Sequence, residues 1–229
     1  MSEWVELKAA DGHELGAYVA KPKGERLGAI IVIQEIFGVN QSIRSVADEY
    51  ARHDFVAIAP ALFDRFGKSI ELGYTGDDLK KAYELYGKLN PDTQLLDVAA
   101  AAQHVAGTDK GTGVIGFCYG GLLTWLSATR AKSLKMDLKA AVGFYAGGIG
   151  KFASEVPACP VQLHFGADDD HIGKDQIEAV REAHPEVQIF VYEGAKHAFN
   201  RDVDPAHYNE AAAELARERT LAFLKENIA

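Results

Sequence analysis

Short apolar runs alternate with amphipathic stretches along the whole chain. Strands are predicted at Val5–Lys8, Glu14–Ala20, Ala29–Gln34, Phe55–Ala59, Gly113–Phe117, Ala140–Phe144, Val161–Phe165 and Val187–Tyr192. The first two runs flank an Asp11-Gly12 turn, which predicts a hairpin. The run Ala29–Gln34 (AIIVIQ) is almost entirely apolar and predicts a strand that is buried on both faces.

The intervening stretches predict helices. These are placed at Gln41–Arg52, about Asp77 to Leu89, Pro91–Ala106, Tyr119–Ala131, Asp175–Ala183 and Asp204 to about Glu226. Asn40, Asn90 and Asp204 are the candidate N-caps, the last two standing directly before a proline. Strands that alternate with helices give a mostly parallel central sheet with helices on both faces. Because no repeat or long polar linker interrupts the pattern, we expect one α/β domain over residues 1–229.

Composition narrows the class of protein. Of 229 residues, 48% are hydrophobic and 25% are charged, as in an ordinary globular protein. The net charge of -9 disfavours nucleic acid as a partner. Two cysteines cannot form a disulfide framework, and neither a signal-peptide pattern nor an apolar run of membrane-spanning length is visible. We therefore expect a cytoplasmic protein with free thiols and no membrane partner.

One glycine-rich turn has the spacing of a nucleophile elbow. Gly116–Gly121 (GFCYGG) follows a predicted strand and precedes a predicted helix, with Cys118 at the position that serine usually takes. The flanking glycines let strand and helix approach closely, and the helix N-terminus favours a thiolate. Since active residues in parallel sheets lie at the carboxyl ends of strands, Cys118 is the candidate nucleophile.

A cysteine nucleophile needs a base, and histidine is the usual choice. Among eight histidines, His197 follows the strand VQIFVY through a short loop and precedes the last helix. In this type of sheet the catalytic histidine comes last in the chain order, so His197 is preferred. His171 is the alternative, whereas His164 lies within a strand and is expected to be a core residue.

The loop after the strand VQLHF holds three successive carboxylates, Asp168, Asp169 and Asp170. At most one of them can face the histidine. Asp169 is preferred because an apolar residue, Ile172, follows it at the spacing that lets the loop turn inward. The other two are expected to be solvated.

An acyl-transfer site also needs two N–H donors for an oxyanion. One is the residue after the nucleophile, Tyr119, and the other is expected from the loop after AIIVIQ, where Ile36 is the candidate. Glu35 is an unusual carboxylate at the end of a buried strand. It is either a hydrogen-bonded loop residue or an acceptor for the thiol proton.

The segment QEIFGVN at residues 34–40, the GFCYGG elbow, Asp169, and His197 with Arg201 four residues later resemble the dienelactone hydrolase family. The likeness extends over nearly the whole chain. It implies an α/β-hydrolase fold with no large lid domain and the carboxymethylenebutenolidase-like opening of a carboxylated, unsaturated lactone to maleylacetate, as in the breakdown of chlorinated catechols.

The resemblance also implies roles for individual residues. Cys118 is the nucleophile, His197 the base and Asp169 the residue that orients it, while Glu35 holds the resting thiol and takes its proton. Arg201 contacts the substrate carboxylate. The second arginine of the family is replaced by Leu79. The further substrate-binding candidates are Tyr83, Tyr145 and Arg65, with Lys80 as another cation near Leu79.

Neither a cofactor nor a metal is expected, and the chain is expected to be a monomer or a weak homo-oligomer. The main alternatives are a thioesterase or acyltransferase, or a general carboxylesterase, on the same three residues. A non-catalytic protein that binds a small ligand is a further alternative. It would be expected to lack one of the three residues, and all three are present in the usual order.

Overall fold

The strands form an eight-stranded sheet in the computed structural model, which describes residues 1–106 and 110–228. They are β1 (Ser2–Lys8), β2 (Glu14–Ala20), β3 (Gly28–Ile33), β4 (Phe55–Pro60), β5 (Thr112–Phe117), β6 (Leu138–Phe144), β7 (Val161–Gly166) and β8 (Gln188–Tyr192). Their spatial order is β1-β2-β4-β3-β5-β6-β7-β8. The pairs β1–β2 and β2–β4 are antiparallel and the other pairs are parallel, so the mostly parallel sheet is confirmed.

The helices begin and end close to their predicted positions, with one exception. They are α1 (Gln41–Arg52), α2 (Gly76–Tyr86), α3 (Pro91–Val105), α4 (Tyr119–Thr129), α5 (Lys174–Ala183) and α6 (Glu210–Ile228). The Asn40 side chain caps α1 by accepting a hydrogen bond from the N–H of Ile43 at 3.3 Å. No helix in the described part of the chain is long and apolar enough to span a bilayer.

Helices cover both faces of the sheet, as predicted. Gly113 and Gly116 lie three residues apart on β5 and therefore face opposite sides of the sheet. A Cβ atom at Gly113 would lie 2.5 Å from Ile228 of α6, and one at Gly116 would lie 2.1 Å from the carbonyl oxygen of Gly120 in α4. Both helices therefore lie directly on β5, and β3 and β5 are buried along their whole length.

The predicted start of the last helix is wrong. Asp204 does not cap it; its carboxylate accepts a hydrogen bond from Arg201 at 2.7 Å. Helix α6 begins at Glu210, where the Asn209 side chain accepts a hydrogen bond from the N–H of Ala212 at 3.2 Å. Residues 201–209 form a loop with one isolated turn, in which the Asp204 carbonyl accepts from the N–H groups of His207 and Tyr208 at 3.1 and 2.9 Å, and this turn does not continue into α6.

His164 on β7 is a core residue, as predicted, and a neutral one. It is fully buried, and its Nδ1 accepts a hydrogen bond from the Tyr192 hydroxyl at 2.8 Å, while Nε2 faces the Gln162 Oε1 at 2.9 Å. This pattern requires a proton on Nε2 only. Burial and the charge of Arg219 lower the pKa of His164 to about 3.

This low pKa makes stability depend on pH. As the pH falls from about 7 to 5, the unfolded chain protonates this histidine and the folded chain does not, so the free energy of unfolding should fall by about 1–2 kcal/mol from this group. We expect His164→Gln to flatten that part of the profile. Urea unfolding at pH 7, 6 and 5 measures it. The exposed His104→Gln is the matched control, and equal slopes in both variants would contradict the assignment.

Candidate active site

The elbow between β5 and α4 places Cys118 in a strained conformation. Its φ is 55° and its ψ is -117°, in a region that residues with a side chain rarely adopt. Its N–H donates to the carbonyl of Phe144 on β6 at 3.0 Å. A Cβ at Gly120 would lie 2.5 Å from the carbonyl oxygen of Gln34, so only glycine allows this approach of α4 to β3. The side chain of Cys118 lines a cavity above the turn.

His197 lies between this thiol and a buried carboxylate. Its Nδ1 donates to Asp169 Oδ2 at 2.8 Å, and the Asp169 side chain is only 1% exposed. The other Asp169 oxygen accepts from the N–H of His171 at 2.9 Å, which fixes the loop. Asp168 and Asp170 are exposed. Of the three successive carboxylates, Asp169 is therefore the one that orients the histidine.

The charge state of His197 follows from these contacts. Burial by itself would lower its pKa, but hydrogen bonds to Asp169 and Cys118 and the charges of both groups raise the pKa of His197 to about 10. Next to this pair the imidazole holds a proton near neutral pH. A protonated imidazole can donate that proton to a leaving group, and can stabilise a neighbouring thiolate.

Two peptide N–H groups are free beside the thiol. Ile36 and Tyr119 line the same cavity as Cys118. Within residues 1–106 and 110–228, neither N–H has a protein acceptor. Unpaired N–H groups next to a nucleophile are what an oxyanion site requires.

The cavity has a volume of about 350 Å³ and two kinds of wall. The apolar and aromatic wall includes Leu79 together with the rings of Phe37, Tyr74, Tyr83, Tyr86 and Tyr119. The polar wall, apart from Cys118 and His197, consists of Glu35, His171, Arg201, Asp204 and His207. Within the described residues, no cluster of three His, Cys, Asp or Glu side chains has the arrangement of a metal site.

Arg201 is held by two protein carboxylates. Nη1 donates to Glu35 Oε2 at 3.0 Å, and Nη2 donates to Asp204 Oδ2 at 2.7 Å. Its guanidinium lies over the Tyr74 ring at 4.2 Å and the Phe37 ring at 5.3 Å. The second oxygen of Glu35 is buried and has no partner among the described residues, so the expected hydrogen bond from the Cys118 thiol to Glu35 is not made. The cation of Arg201 attracts the carboxylate instead.

Arg65 does not reach the cavity, contrary to the expectation that it contacts substrate. It forms a bidentate pair with Asp97, whose carboxylate is fully buried, at 2.7 and 2.8 Å. It also donates to Asp11 at 2.8 Å. A buried carboxylate needs a paired cation, and this requirement holds Arg65 away from the site.

The two predicted tyrosines lie in different places. Tyr83 lines the cavity and is 53% exposed. Tyr145 is 1% exposed and is not part of the cavity wall; its ring centroid lies 5.0 Å from that of His197. Its φ of 38° is a second strained conformation next to the site. Tyr145 therefore supports His197 from behind, which is a packing contact rather than the substrate contact that was expected.

Three cavity residues were not recognised as a group from the sequence. His171 was considered only as an alternative base, and Asp204 and His207 were placed in the last helix. In the structure His207 Nδ1 lies 2.7 Å from Asp204 Oδ2, and the His171 ring centroid lies 4.8 Å from that of His197. The sequence contains a second possible helix cap, Asn209. A helix that begins after Asn209 leaves Asp204 and His207 in a loop.

The chain is similar to known proteins over nearly its whole length. The profile of the dienelactone hydrolase family matches residues 15–228. A carboxymethylenebutenolidase from Pseudomonas putida is 30% identical over 233 residues, covering 98% of this chain and 96% of the relative. A candidate carboxymethylenebutenolidase from Salmonella typhimurium is 33% identical over 237 residues, covering 95% of this chain and 84% of the relative.

A solved structure is also similar to this chain. The crystal structure of a candidate dienelactone hydrolase from Klebsiella pneumoniae is similar at a TM-score of 0.83 and 32% identity, over 97% of this chain and 98% of that chain. The fold and site thus define an α/β-hydrolase. The chain belongs to the dienelactone hydrolase family and is a hydrolase that acts on esters.

The three adjacent carboxylates provide a test of the site. We expect Asp169→Asn to lower kcat by about 10²–10⁴-fold, because an amide cannot hold the imidazole in the required tautomer or stabilise its cation. Asp168→Asn and Asp170→Asn should stay within about twofold of the parent enzyme. Steady-state kinetics on one ester compares the three. Similar losses in all of them would indicate damage to the loop rather than lost chemistry.

Arg65 provides a test of a structural role. We expect Arg65→Met to reduce the free energy of unfolding by about 3–5 kcal/mol, since Asp97 is then left buried and unpaired. The kcat/KM of the remaining folded enzyme should stay within about twofold. Urea unfolding and kinetics at low temperature measure the two quantities. A large loss of kcat/KM without a loss of stability would restore Arg65 as a substrate contact.

Proposed function

We propose that this protein hydrolyses a small ester or lactone through Cys118, His197 and Asp169, with an acyl-enzyme intermediate. The observation that carries the proposal is that His197, hydrogen-bonded to the buried Asp169, lines the same cavity as the Cys118 thiol. The family membership supports the reaction class.

The reaction proceeds in two halves. The Cys118 sulfur attacks the ester carbonyl carbon, and the thiol proton resides on His197. His197 then donates that proton to the leaving alkoxide as the C–O bond breaks, which leaves a thioester on Cys118. In the second half His197 takes a proton from water as the water oxygen attacks the thioester. The tetrahedral intermediate then releases the sulfur and a carboxylic acid, which loses its proton to solvent, and the proton held by His197 returns to the sulfur.

The negative oxygen of each tetrahedral intermediate needs donors that are already in place. The N–H groups of Ile36 and Tyr119 are proposed for this role, because both line the cavity beside the thiol and lack a protein acceptor among the described residues. Such donors stabilise the charge that develops in the transition state and need no rearrangement when it forms.

One candidate substrate is the carboxylated dienelactone that the resemblance implies, opened to maleylacetate. A carboxylesterase acting on uncharged esters is the second candidate. It is favoured by one observation: Arg201, the expected contact of the substrate carboxylate, is already paired with Glu35 and Asp204. Both candidates use the same three residues, so the test of the reaction does not depend on the choice.

Cysteine replacement tests the mechanism. We expect Cys118→Ala to lower kcat by several orders of magnitude on both dienelactone and 4-nitrophenyl acetate, while its circular dichroism stays that of the parent. Cys159→Ala is the matched control, because burial raises the pKa of that thiol to about 11 and keeps it protonated. Intact mass after a rapid acid quench should show an acyl adduct on the parent enzyme only.

Activity retained by Cys118→Ala, or lost in Cys159→Ala alone, would overturn the assignment. A quenched parent enzyme that turns over substrate without an adduct would point to direct attack by water. Transfer of the acyl group to an added thiol or alcohol in place of water would identify an acyltransferase on the same residues.

A further inference from the structure

The polar wall of the cavity contains one strong cation, and protein carboxylates bind both of its terminal nitrogens. Within the described residues that line the cavity, Arg201 is the only lysine or arginine. Its two terminal nitrogens donate to Glu35 and Asp204, and its side chain is only 9% exposed. Its third nitrogen, Nε, has no partner there but is enclosed by protein atoms. A substrate carboxylate would therefore compete with two protein carboxylates for the terminal nitrogens of this guanidinium.

Asp204 is the carboxylate in the more exposed position, and it is fixed from two sides. Its Oδ2 accepts from Arg201 Nη2 at 2.7 Å and lies 2.7 Å from His207 Nδ1. Burial alone would raise the pKa of Asp204, but its hydrogen bonds to Arg201 and His207 lower it. Asp204 consequently stays ionised and binds the guanidinium that the resemblance assigns to a substrate carboxylate.

The charges of the cavity oppose a second anion. Glu35 and Asp204 outnumber the single Arg201, and the buried Asp169 lies behind His197. On the opposite wall Leu79 supplies no charge, and the neighbouring Lys80 is exposed and paired with Asp77 at 2.9 Å. With His197 protonated, the three carboxylates still outnumber the two cations, and His197 is itself paired with Asp169, so a carboxylated substrate would meet a net negative charge.

The same wall suits an uncharged group. Tyr83 and Tyr86 on α2 are 53% and 47% exposed, and both line the cavity together with Leu79. Exposed aromatic rings at a cavity are able to bury apolar parts of a ligand. Both this apolar wall and the ion-paired guanidinium of Arg201 favour an uncharged substrate.

We infer that Asp204 is a specificity-determining residue: by occupying Arg201 it makes the enzyme select uncharged esters and lactones over carboxylated ones. The inference rests on the proposed ester hydrolysis at Cys118. It assigns to Arg201 a partner within the protein, whereas the resemblance assigned it a partner in the substrate.

A matched pair of substrates tests the selection. The compounds are 4-nitrophenyl valerate and mono-4-nitrophenyl glutarate, which share a five-carbon acyl chain that ends in a methyl group or a carboxylate. After subtraction of the rate without enzyme, the parent should show a kcat/KM at least tenfold higher for the valerate. Asp204→Asn should raise the glutarate-to-valerate ratio at least tenfold, mainly through a lower KM for the glutarate, because the negative charge that competes for Arg201 is removed.

Two variants serve as controls. Asp202→Asn removes a carboxylate two residues away that is 59% exposed and lies 3.8 Å from Arg217, and it should leave the ratio unchanged. Asp204→Glu restores the charge and should keep the ratio within about threefold of the parent. Circular dichroism establishes that each variant is folded.

Salt dependence gives a second readout on the parent enzyme alone, so the inference can be tested even if Asp204→Asn does not fold. Salt screens charges, so repulsion of the glutarate predicts a ratio that rises as ionic strength increases from 20 mM to 0.5 M. Attraction to a free Arg201 predicts a ratio that falls.

A parent enzyme that prefers the glutarate, a ratio that falls with salt, or a folded Asp204→Asn with an unchanged ratio would overturn the inference. Those results would leave the proposed hydrolysis intact. A parent enzyme that hydrolyses neither ester, or a Cys118→Ala variant that hydrolyses both, would instead overturn the proposed function.

Discussion

The close approach of α4 to the middle of the sheet is the constraint on which the site depends. No Cβ fits at Gly116 or Gly120, because the atoms of the opposing backbone would lie 2.1–2.5 Å away. This contact forces a turn of minimal length, and Cys118 takes the left-handed φ of 55° that results. The strain is maintained because β3, β5 and α4 are packed on all sides. It places the thiol at a helix N-terminus, above the carboxyl ends of the strands.

Around this fixed thiol, the charges occur in two buried arrays. One runs from Asp169 through His197 to Cys118, and the other from Glu35 through Arg201 to Asp204. Buried charges are stable only when they are paired, so each array satisfies itself within the protein. In the first array, the Cys118 side chain lines the cavity. In the second array both terminal nitrogens of Arg201 bind protein carboxylates. The proposed chemistry belongs to the first array and the inferred selectivity to the second.

Tyr145 is a buried ring close to both arrays. Burial and the nearby charge of Glu35 raise its pKa well above that of an ordinary tyrosine, so the phenol stays neutral. It contacts His197 through its ring, with 5.0 Å between the centroids. A neutral, rigid ring at this position holds the imidazole in line with the thiol without adding a charge that would compete for its proton.

The sequence by itself determined the sheet and the candidate nucleophile. Apolar runs of strand length set β3 to β8, and the glycine spacing around Cys118 permits only a tight strand-to-helix turn. His197 could be predicted as the base because its position after a strand and its order in the chain can both be read from the sequence. The tertiary structure alone decided where Arg201 and Asp204 bind. Asp204 before a proline is a good helix cap in isolation, and its Oδ1 does accept from the N–H of Ala206, but the turn that begins there does not continue. The same carboxylate binds Arg201, which packs on two aromatic rings, and no local pattern records that contact.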